Sequence, residues 1–533
     1  MNALLVYPRF PLTYWGFQHG LQLIGKQASL PPLGLITLAA LLPDHWHLRL
    51  VDLNAEALWD EQLQWADVVL LGGLLIQVES MHEVIARAHA LQVPVAVGGP
   101  APTTSPELFA DADVVFRGEA EGRIPALVDA LERASCGQIT LDAPADFPDM
   151  KTVPVPRFEL LDLSLYASMS VQFSRGCPYR CEFCDIIEIF GRTPRVKTSA
   201  QMLGELEALY RLGFRGTLFF VDDNFIGNKK AVRSLLPLLL KWQGQRGHPF
   251  ALYTEASVDL ASEPGLLREL AAAGFTAVFV GIESPSAESL AQAGKHQNLR
   301  LDLADSVRRI TSAGIEVMGG FIVGFDSDGE DIFDQQWAFL DGQPIPLAMV
   351  GTLTALPGTA LWRRLDAEGR LRGPSNGDPF TRPNFVPAMR EAALLGGYAG
   401  LLSRLYTADA YYGRCQAFMD LSGAVPGQHT PTRGDLAALA RAVWHIGLLS
   451  PRRGHFWRLM VSAARRGRAW IRQAVVHAVR GEHLIRYTWE CVVPRLERAL
   501  ADLRSEAACT APAYVTVATE DRDREAERSA CIG

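Results

Sequence analysis

The sequence predicts an α/β chain in three folded parts, and three patterns predict it. Near the N-terminus five short β-rich runs alternate with stretches long enough for crossover helices, six further strand candidates follow in a second array, and past residue 360 helical periodicity replaces the strands. At 533 residues the chain is too long for one core, because domains run to roughly 100–200 residues each. The expected parts are a doubly wound, flavodoxin-like sheet over 1–135, a linker over 136–165, a partial (β/α)6 TIM-type barrel over 166–360, a helical domain over 361–505 and a disordered tail over 506–533.

The totals narrow the function. The chain is 48% hydrophobic and 21% charged with a formal net charge of −8, which argues against nucleic acid as the main partner. The start "MNALLVYPRFPLTYW" reads as a first strand and not a signal peptide. No window approaches the roughly 18 uninterrupted apolar residues of a membrane span. Of eight cysteines, Cys177, Cys181 and Cys184 fall together while Cys136, Cys415, Cys491, Cys509 and Cys531 are scattered. This is no disulfide framework, so a reducing cytoplasm is the expected location.

The first strands are "ALLVYP", "HLRLVDLN", "DVVLLGG", "VPVAVGG" and "DVVFRGE". Glycines fall at their carboxyl ends, at Gly72, Gly73, Gly98, Gly99 and Gly118, where open α/β sheets bind ligands. The stretch from 136 to 165 is proline-dotted and aperiodic, as a connection is. The second array then reads "MSVQFSRG", "TLFFVDDNF", "FALYTEAS", "AVFVGIES", "EVMGGFIVGF" and "LAMVGTLTALP", separated by amphipathic helices such as "SAQMLGELEALYRLG" and "PGLLRELAAAG" with C-terminal glycines. Polar residues close nearly every strand (Asp222, Asp223, Glu255, Ser257, Glu283, Ser284, Asp326), and in β/α barrels that end carries the chemistry. Residues 451–480 hold eight arginines and no acid. They read either as a basic amphipathic helix on an anionic membrane surface or as a solvated arginine face whose stems pack on the barrel.

The stretch "SVQFSRGCPYRCEFCDI" sets three cysteines at C-x3-C-x2-C after the first barrel strand. A structural zinc wants four ligands, usually in two paired sets. A [4Fe-4S] cluster held by three thiolates keeps one iron open to an exogenous ligand. Cys177, Cys181 and Cys184, with Phe183 before the last of them and a six-fold β/α array behind, resemble the radical S-adenosylmethionine (SAM) superfamily. The resemblance implies that the open iron binds the amino and carboxylate groups of SAM, whose reductive cleavage yields a 5'-deoxyadenosyl radical. It puts Asp222 and Asp223 of "FVDDNF" where the family often has a GGE-like segment near the SAM amino group. Glu255, Ser257, Glu283 and Ser284 then serve the ribose and sulfonium side, and Gly319, Gly320 and Gly324 of "GGFIVGF" allow close approach of the adenine or methionine.

With "SLPPLGLITLAALL", "VAVGGPAPT" and "VFRGEAEG" in order before that core, the N-terminal part resembles the cobalamin-binding, Rossmann-like domain of the B12-dependent radical SAM class. No D-x-H-x-x-G motif occurs, so the expectation is a base-off cofactor without a protein histidine on cobalt. Its nucleotide tail is expected along Gly98, Gly99, Thr103, Gly118 and Glu119, and Gln77 and Glu79 are expected to face the corrin. The resemblance implies a C-methyltransferase: one SAM methylates cob(I)alamin, a second yields the substrate radical, and that radical takes the methyl group of methylcobalamin. The strings "FGRTPRVKT", "FFVDDNFIGNKKA" and "FVGIESP" look closest to the subgroup of hopanoid 2-methyltransferases and relatives with a helical C-terminal extension. That implies a lipid or other small hydrophobic substrate, an electron donor such as flavodoxin or ferredoxin, and peripheral contact with the inner membrane face. The competing readings are a cobalamin-dependent radical SAM cyclase or oxidoreductase of tetrapyrrole or natural-product biosynthesis, and a sensor without turnover.

Overall fold

Apolar β-branched runs alternating with helices build the first sheet. It comprises β1 (Asn2–Tyr7), β2 (His47–Asp52), β3 (Val68–Gly72), β4 (Val95–Gly98), β5 (Val114–Phe116) and β6 (Ile139–Leu141), in the order β2-β1-β3-β4-β5-β6. Every pairing is parallel. The structure is a computed structural model that describes residues 1–133, 137–423 and 433–510. Successive side chains of the central strands enter two separate cores: Leu4, Val6, Val69 and Leu71 on one face, Ala3, Leu5, Val68 and Leu70 on the other. A parallel sheet covered on both faces requires this continuous apolar run. The strand order reverses between β1 and β3, and crevices at such a switch point are where these sheets take ligands. Two short helices on this part matter below, α1 (Gln18–Ile24) and α2 (Val78–Ala90). Strand β6 lies inside the segment read as pure linker. It has three residues and sits half-exposed on the sheet edge, so no apolar run announces it.

The second sheet runs β14-β13-β12-β11-β10-β7, again parallel throughout. Its strands are β7 (Ser168–Val171), β10 (Gly216–Phe220), β11 (Phe250–Glu255), β12 (Phe275–Glu283), β13 (Glu316–Val323) and β14 (Ala348–Thr352). All six strands of the second array are where the sequence reading puts them. Helix α3 (Ser199–Arg211) opens with a reciprocal cap, in which the Gln201 N–H donates to Thr198 Oγ1 at 3.2 Å and the Thr198 N–H to Gln201 Oε1 at 2.9 Å; this satisfies two of the helix's orphan donors. Helix α4 (Pro264–Ala273) stops at Gly274, φ 102°. The sequence reading missed a two-residue antiparallel hairpin, β8 (Ser174–Arg175) with β9 (Arg195–Val196), which brackets the three cysteines.

The C-terminal part is helical: α5 (Glu391–Leu405), α6 (Ala408–Leu421), α7 (Arg433–Ala442), a π-helical stretch Val443–Leu449, α8 (Arg453–Arg466), α9 (Arg468–Tyr487) and α10 (Val493–Thr510). It docks on the barrel through buried tyrosines. Tyr398 donates to the Val350 carbonyl at 2.7 Å and Tyr406 to that of Ala348, capping carbonyls of edge strand β14. The N-terminal arm joins in, with Tyr14 and Thr488 hydroxyls 2.6 Å apart and Tyr487 donating to the Leu12 carbonyl at 2.8 Å. One continuous hydrophobic core therefore runs from the barrel into the helices. Two expectations change here. The apolar stripe of 451–480 (Phe456, Leu459, Ala463, Trp470, Ala474) is buried in that core, so this side of the segment packs inside the protein and only its outer side meets solvent. Helix α10 continues to Thr510, into the stretch expected to be a disordered tail; the remainder of that tail, 511–533, lies outside the described residues.

Candidate active site

The three cysteines sit on the loop between β8 and β9, beyond the carboxyl end of β7. Asp222 and Asp223, at the end of β10, hold the entry to that loop. Asp222 accepts the Phe173 N–H at 3.1 Å together with the N–H and hydroxyl of Ser174, and Asp223 accepts the Gly176 N–H at 2.8 Å. Gly176 has φ 92°, and a Cβ there would lie 2.7 Å from the Gly191 carbonyl oxygen, so only glycine makes this turn. The expected placement of Asp222 at the SAM amino group does not match this geometry. Its carboxylate is buried and saturated by the loop, and it does not line the cavity described below, whereas Asp223 does. Burial raises Asp222 to about 7 and Asp223 to about 6.

Burial also holds all three thiols above their ordinary range, and each of Cys177 and Cys184 feels the charge of the neighbouring cysteines. Thiols so placed become thiolates when a cation lies among them. Side-chain amides face two of the sulfurs, Asn224 Nδ2 at 4.0 Å from Cys177 Sγ and Gln297 Nε2 at 4.0 Å from Cys181 Sγ. Among the described residues no three His, Cys, Asp or Glu side chains converge on one point as a single metal ion needs. A four-iron cube takes each thiolate on a different iron, so the donor set fits it. Phe183 packs near Phe325, with the Lys295 ammonium 6.0 Å from its ring centre.

The other strand ends divide. The Glu255 carboxyl, at the end of β11, makes no hydrogen bond among the described residues; burial, then the charges of Asp223 and Asp222, raise it to about 8. Ser257 bonds within the protein, to Asn224 at 3.1 Å and to Asp259, and Ser284 accepts the Ser286 N–H at 3.2 Å. Glu283 adopts φ 66°, rare for a residue with a side chain, and pairs with buried Lys295. Such strain persists where surroundings over-determine it, and it clusters at functional sites. Gly281 makes room for the pair, since a Cβ there would lie 2.5 Å from Lys295 Nζ. Neither Lys295 nor Gln297 carried a sequence signal, because their helix-side loop has no motif of its own. Of the three glycines of "GGFIVGF", only Gly320 lines the cavity. A Cβ on it would strike the Phe279 ring at 2.6 Å, and one on Gly319 the Phe321 ring at 2.7 Å. Gly324, φ 97°, forms a turn capped by Asp328. Gly319 and Gly324 thus serve packing and turning, not approach to a nucleoside.

One cavity of ≈ 1220 Å³ joins the carboxyl edge of the first sheet to the barrel mouth. Gly72, Gly73, Gly98, Gly99, Gly118 and Thr103 form its first wall, and Asp223, Glu283, Phe279 and Phe321 belong to the opposite one. Thr103 ties the glycine turns together: its hydroxyl donates to the Gly99 carbonyl at 2.7 Å and accepts the Gly118 N–H at 2.9 Å. Glu119 lines the cavity, but its carboxylate is occupied by Arg175 and Arg195, the latter at 2.6 Å. Arg175 also reaches Glu121 at 2.9 Å. Burial pushes Glu121 up, and Arg175 outweighs it to hold the carboxyl below its ordinary range. These four side chains fasten the first sheet to the hairpin that presents the cysteines. Gln77 does not face the cavity. It is fully buried, donating to the Pro8 carbonyl at 2.6 Å and accepting the Leu74 N–H at 3.0 Å, so its amide braces the strand-end loops and does not reach the cavity. The exposed Glu79, at the start of α2, also lies off the lining. A broad floor of glycine backbone without side chains suits a flat macrocycle, so the remaining residues of this wall fit a corrin.

Residues 27–128 match the B12 binding domain, residues 171–335 the radical SAM superfamily, and residues 359–495 a domain of unknown function (DUF4070). The two named matches fall on the glycine-edged sheet and on the cysteine-bearing barrel, and together they define a cobalamin-dependent radical SAM enzyme that uses a [4Fe-4S] cluster, SAM and cobalamin. An uncharacterised methyltransferase of Synechocystis is 42% identical over 91% of this chain and 92% of its own. The hopanoid C-2 methylase of Rhodopseudomonas palustris is 35% identical over 92% of this chain and 94% of its own. The chain belongs to the methyltransferase family of these relatives. Its fold is similar to that of the cobalamin-dependent radical SAM enzyme OxsB with aqua-cobalamin bound, at TM-score 0.60 and 16% identity, covering 95% of this chain and 81% of that one.

Proposed function

We propose that the protein methylates an unactivated carbon of a hopanoid-like lipid in the cytoplasm, with electrons from a flavodoxin or ferredoxin. The observation that carries this reading is the single cavity shared by the glycine edge and the barrel mouth, because both halves of a methyl transfer need one enclosed space. Its far wall is largely apolar, built from Trp15, Phe279, Phe321, Met349 and Phe380, which suits a large hydrocarbon skeleton. The 35% identity to a hopanoid methylase supports the same class. When bound, the cluster with SAM supplies a carbon radical that removes hydrogen, and the cobalamin supplies the methyl group.

The chain's own residues orient and exclude. We assign Cys177, Cys181 and Cys184 to the cluster, Glu283 with Lys295 and the uncharged Glu255 to the SAM side, and Gly98, Gly99 and Gly118 to the corrin edge, with Thr103 and Glu119 holding that edge in place. The apolar wall keeps water from the radical centre, while Asp378 and Arg495, paired at the rim beside Phe380, stand where a polar lipid tail group can be received. We further assign 1–135 to the cobalamin-binding unit and 166–360 to the radical unit. The test is anaerobic turnover of the reconstituted, reduced protein with a deuterated hopanoid-like substrate. Gain of one methyl group with deuterium in 5'-deoxyadenosine is expected, and Cys181→Ala should abolish both. Labelled deoxyadenosine with an unsaturated or cyclised product and no methyl gain would overturn the assignment.

A further inference from the structure

The helical part carries an exposed apolar patch with no role in the site. Trp444, Leu448 and Leu449 of the π-helical stretch are 57%, 49% and 62% exposed, and Trp457 and Val461 of α8 are 42% and 48% exposed. The two segments are locked together. Trp457 Nε1 donates to the Gly447 carbonyl at 2.9 Å, and a Cβ on Gly447 would fall 2.9 Å from the Phe456 ring. The patch is therefore a fixed surface and not a fluctuating loop tip.

Its rim is basic. Along α8, Arg453, Trp457, Val461 and Arg465 recur every four residues and so share a face, with arginines at the ends and apolar side chains between. Arg452, Arg458 and Arg466 are engaged with Glu482, Asp409 and Asp420. Arg453, Arg465 and Arg468 are exposed, and among the described residues no acidic side chain pairs with them. Residues 451–480 contain no acid at all. The inward stripe of α8 (Phe456, Leu459, Ala463) already fills the core, so the outer face has no intramolecular use.

From the apolar centre, the tryptophans and the unpaired arginine rim, we infer that this face docks the protein on an anionic lipid bilayer. Tryptophan rings settle at the headgroup level, apolar neighbours dip below it, and arginines bind the phosphates. No helix among the described residues is long and apolar enough to cross a membrane, so the contact is a surface one. The inference rests on the lipid-substrate reading for its purpose, and the fold supplies the connection. Helix α7, which leads into the patch, packs on α1, and Arg441 donates to the Leu23 carbonyl at 2.9 Å. Gln18 and Leu21 of α1 line the cavity. A bilayer on the patch thus lies one helix away from the cavity wall.

The full-length protein, sedimented with vesicles of pure phosphatidylcholine and of an equimolar mixture with phosphatidylglycerol, tests this. Binding is expected to the anionic vesicles alone and to weaken with added salt. It should fall roughly tenfold or more in Leu448→Ser/Leu449→Ser/Val461→Ser and, separately, in Arg453→Glu/Arg465→Glu. Both variants should keep wild-type SAM cleavage and thermal stability, which shows that they fold. Equal binding to neutral and anionic vesicles, or binding indifferent to both variants, would overturn the inference. So would absence of vesicle binding together with concentration-dependent dimers that the serine variant abolishes, since the patch would then cover itself. Methylation of detergent-dispersed substrate is scored apart. Its failure with vesicle binding intact would sink the substrate assignment alone, and its success without vesicle binding would sink only the docking surface.

Discussion

Glu255 is the clearest residue-scale case of a side chain whose surroundings dictate its state. It lies at the end of β11 near Asp222 and Asp223 and has no hydrogen-bond donor to favour its charge, so its carboxyl titrates near 8 where an ordinary one titrates near 4.5. A raised pKa means the folded chain binds the proton more tightly than the unfolded one. The resulting stability is complete below about 4.5 and is lost as pH climbs through about 8. In the apo protein, wild type should therefore lose roughly 1–2 kcal/mol relative to Glu255→Gln between those limits, allowing for its partial exposure. Thermal melts of both proteins across that window measure the difference, and parallel curves would show that Glu255 is ionised throughout. The sequence marked Glu255, Asp222 and Asp223 as strand-end polar residues of one kind. Only the fold separates them, because hydrogen bonds from a loop about 50 residues earlier in the chain decide which carboxylate is consumed and which is left free.

At the scale of elements, legibility followed length and periodicity. The long parallel strands were readable because burial on both faces demands continuous apolar runs, as in "ALLV" of β1, where Ala3, Leu4, Leu5 and Val6 are all fully buried. Hairpin β8–β9 was not, because two residues carry no period, and what makes it is the grip of Asp222 and Asp223 on its backbone. The turn that launches the cysteine loop depends on Gly176. Gly176→Ala places a methyl 2.7 Å from the Gly191 oxygen at φ 92°, so it should cost about 1–3 kcal/mol and lower the iron retained after anaerobic reconstitution. Iron and sulfide content against wild type, with circular dichroism to confirm the global fold, reads that out.

For the whole molecule the telling contact is between the first sheet and the barrel. Arg175, Arg195, Glu119 and Glu121 form a nearly buried charge network across that junction. Arg175→Ala strands Glu121, so it should destabilise the protein by roughly 3–5 kcal/mol and weaken retention of cobalamin as well as of the cluster. Adding Glu121→Gln should recover part of the stability, since the uncompensated charge is then gone; denaturant titration and the corrin absorbance of gel-filtered protein give both values. No spacing in the sequence announces this junction, for its partners lie from 54 (Glu121 to Arg175) to 76 residues apart, whereas the three-cysteine motif is local and was legible at once.

The tyrosine and arm contacts join the N-terminal arm, β14 and the last helices beside the cavity, which Leu12, Tyr14, Val350 and Tyr487 help to line. Where these contacts bar the way of a macrocycle as wide as a corrin, its entry depends on how often the helical cap lifts away. Cobalamin supplied while the chain is being synthesised should be captured in full, and cobalamin offered to the finished apo protein should be taken up only over the time of that partial opening. Uptake followed by absorbance in the two regimes, with a mild concentration of urea accelerating the second, would show that timing during biogenesis, and not affinity alone, governs how much active enzyme a cell obtains.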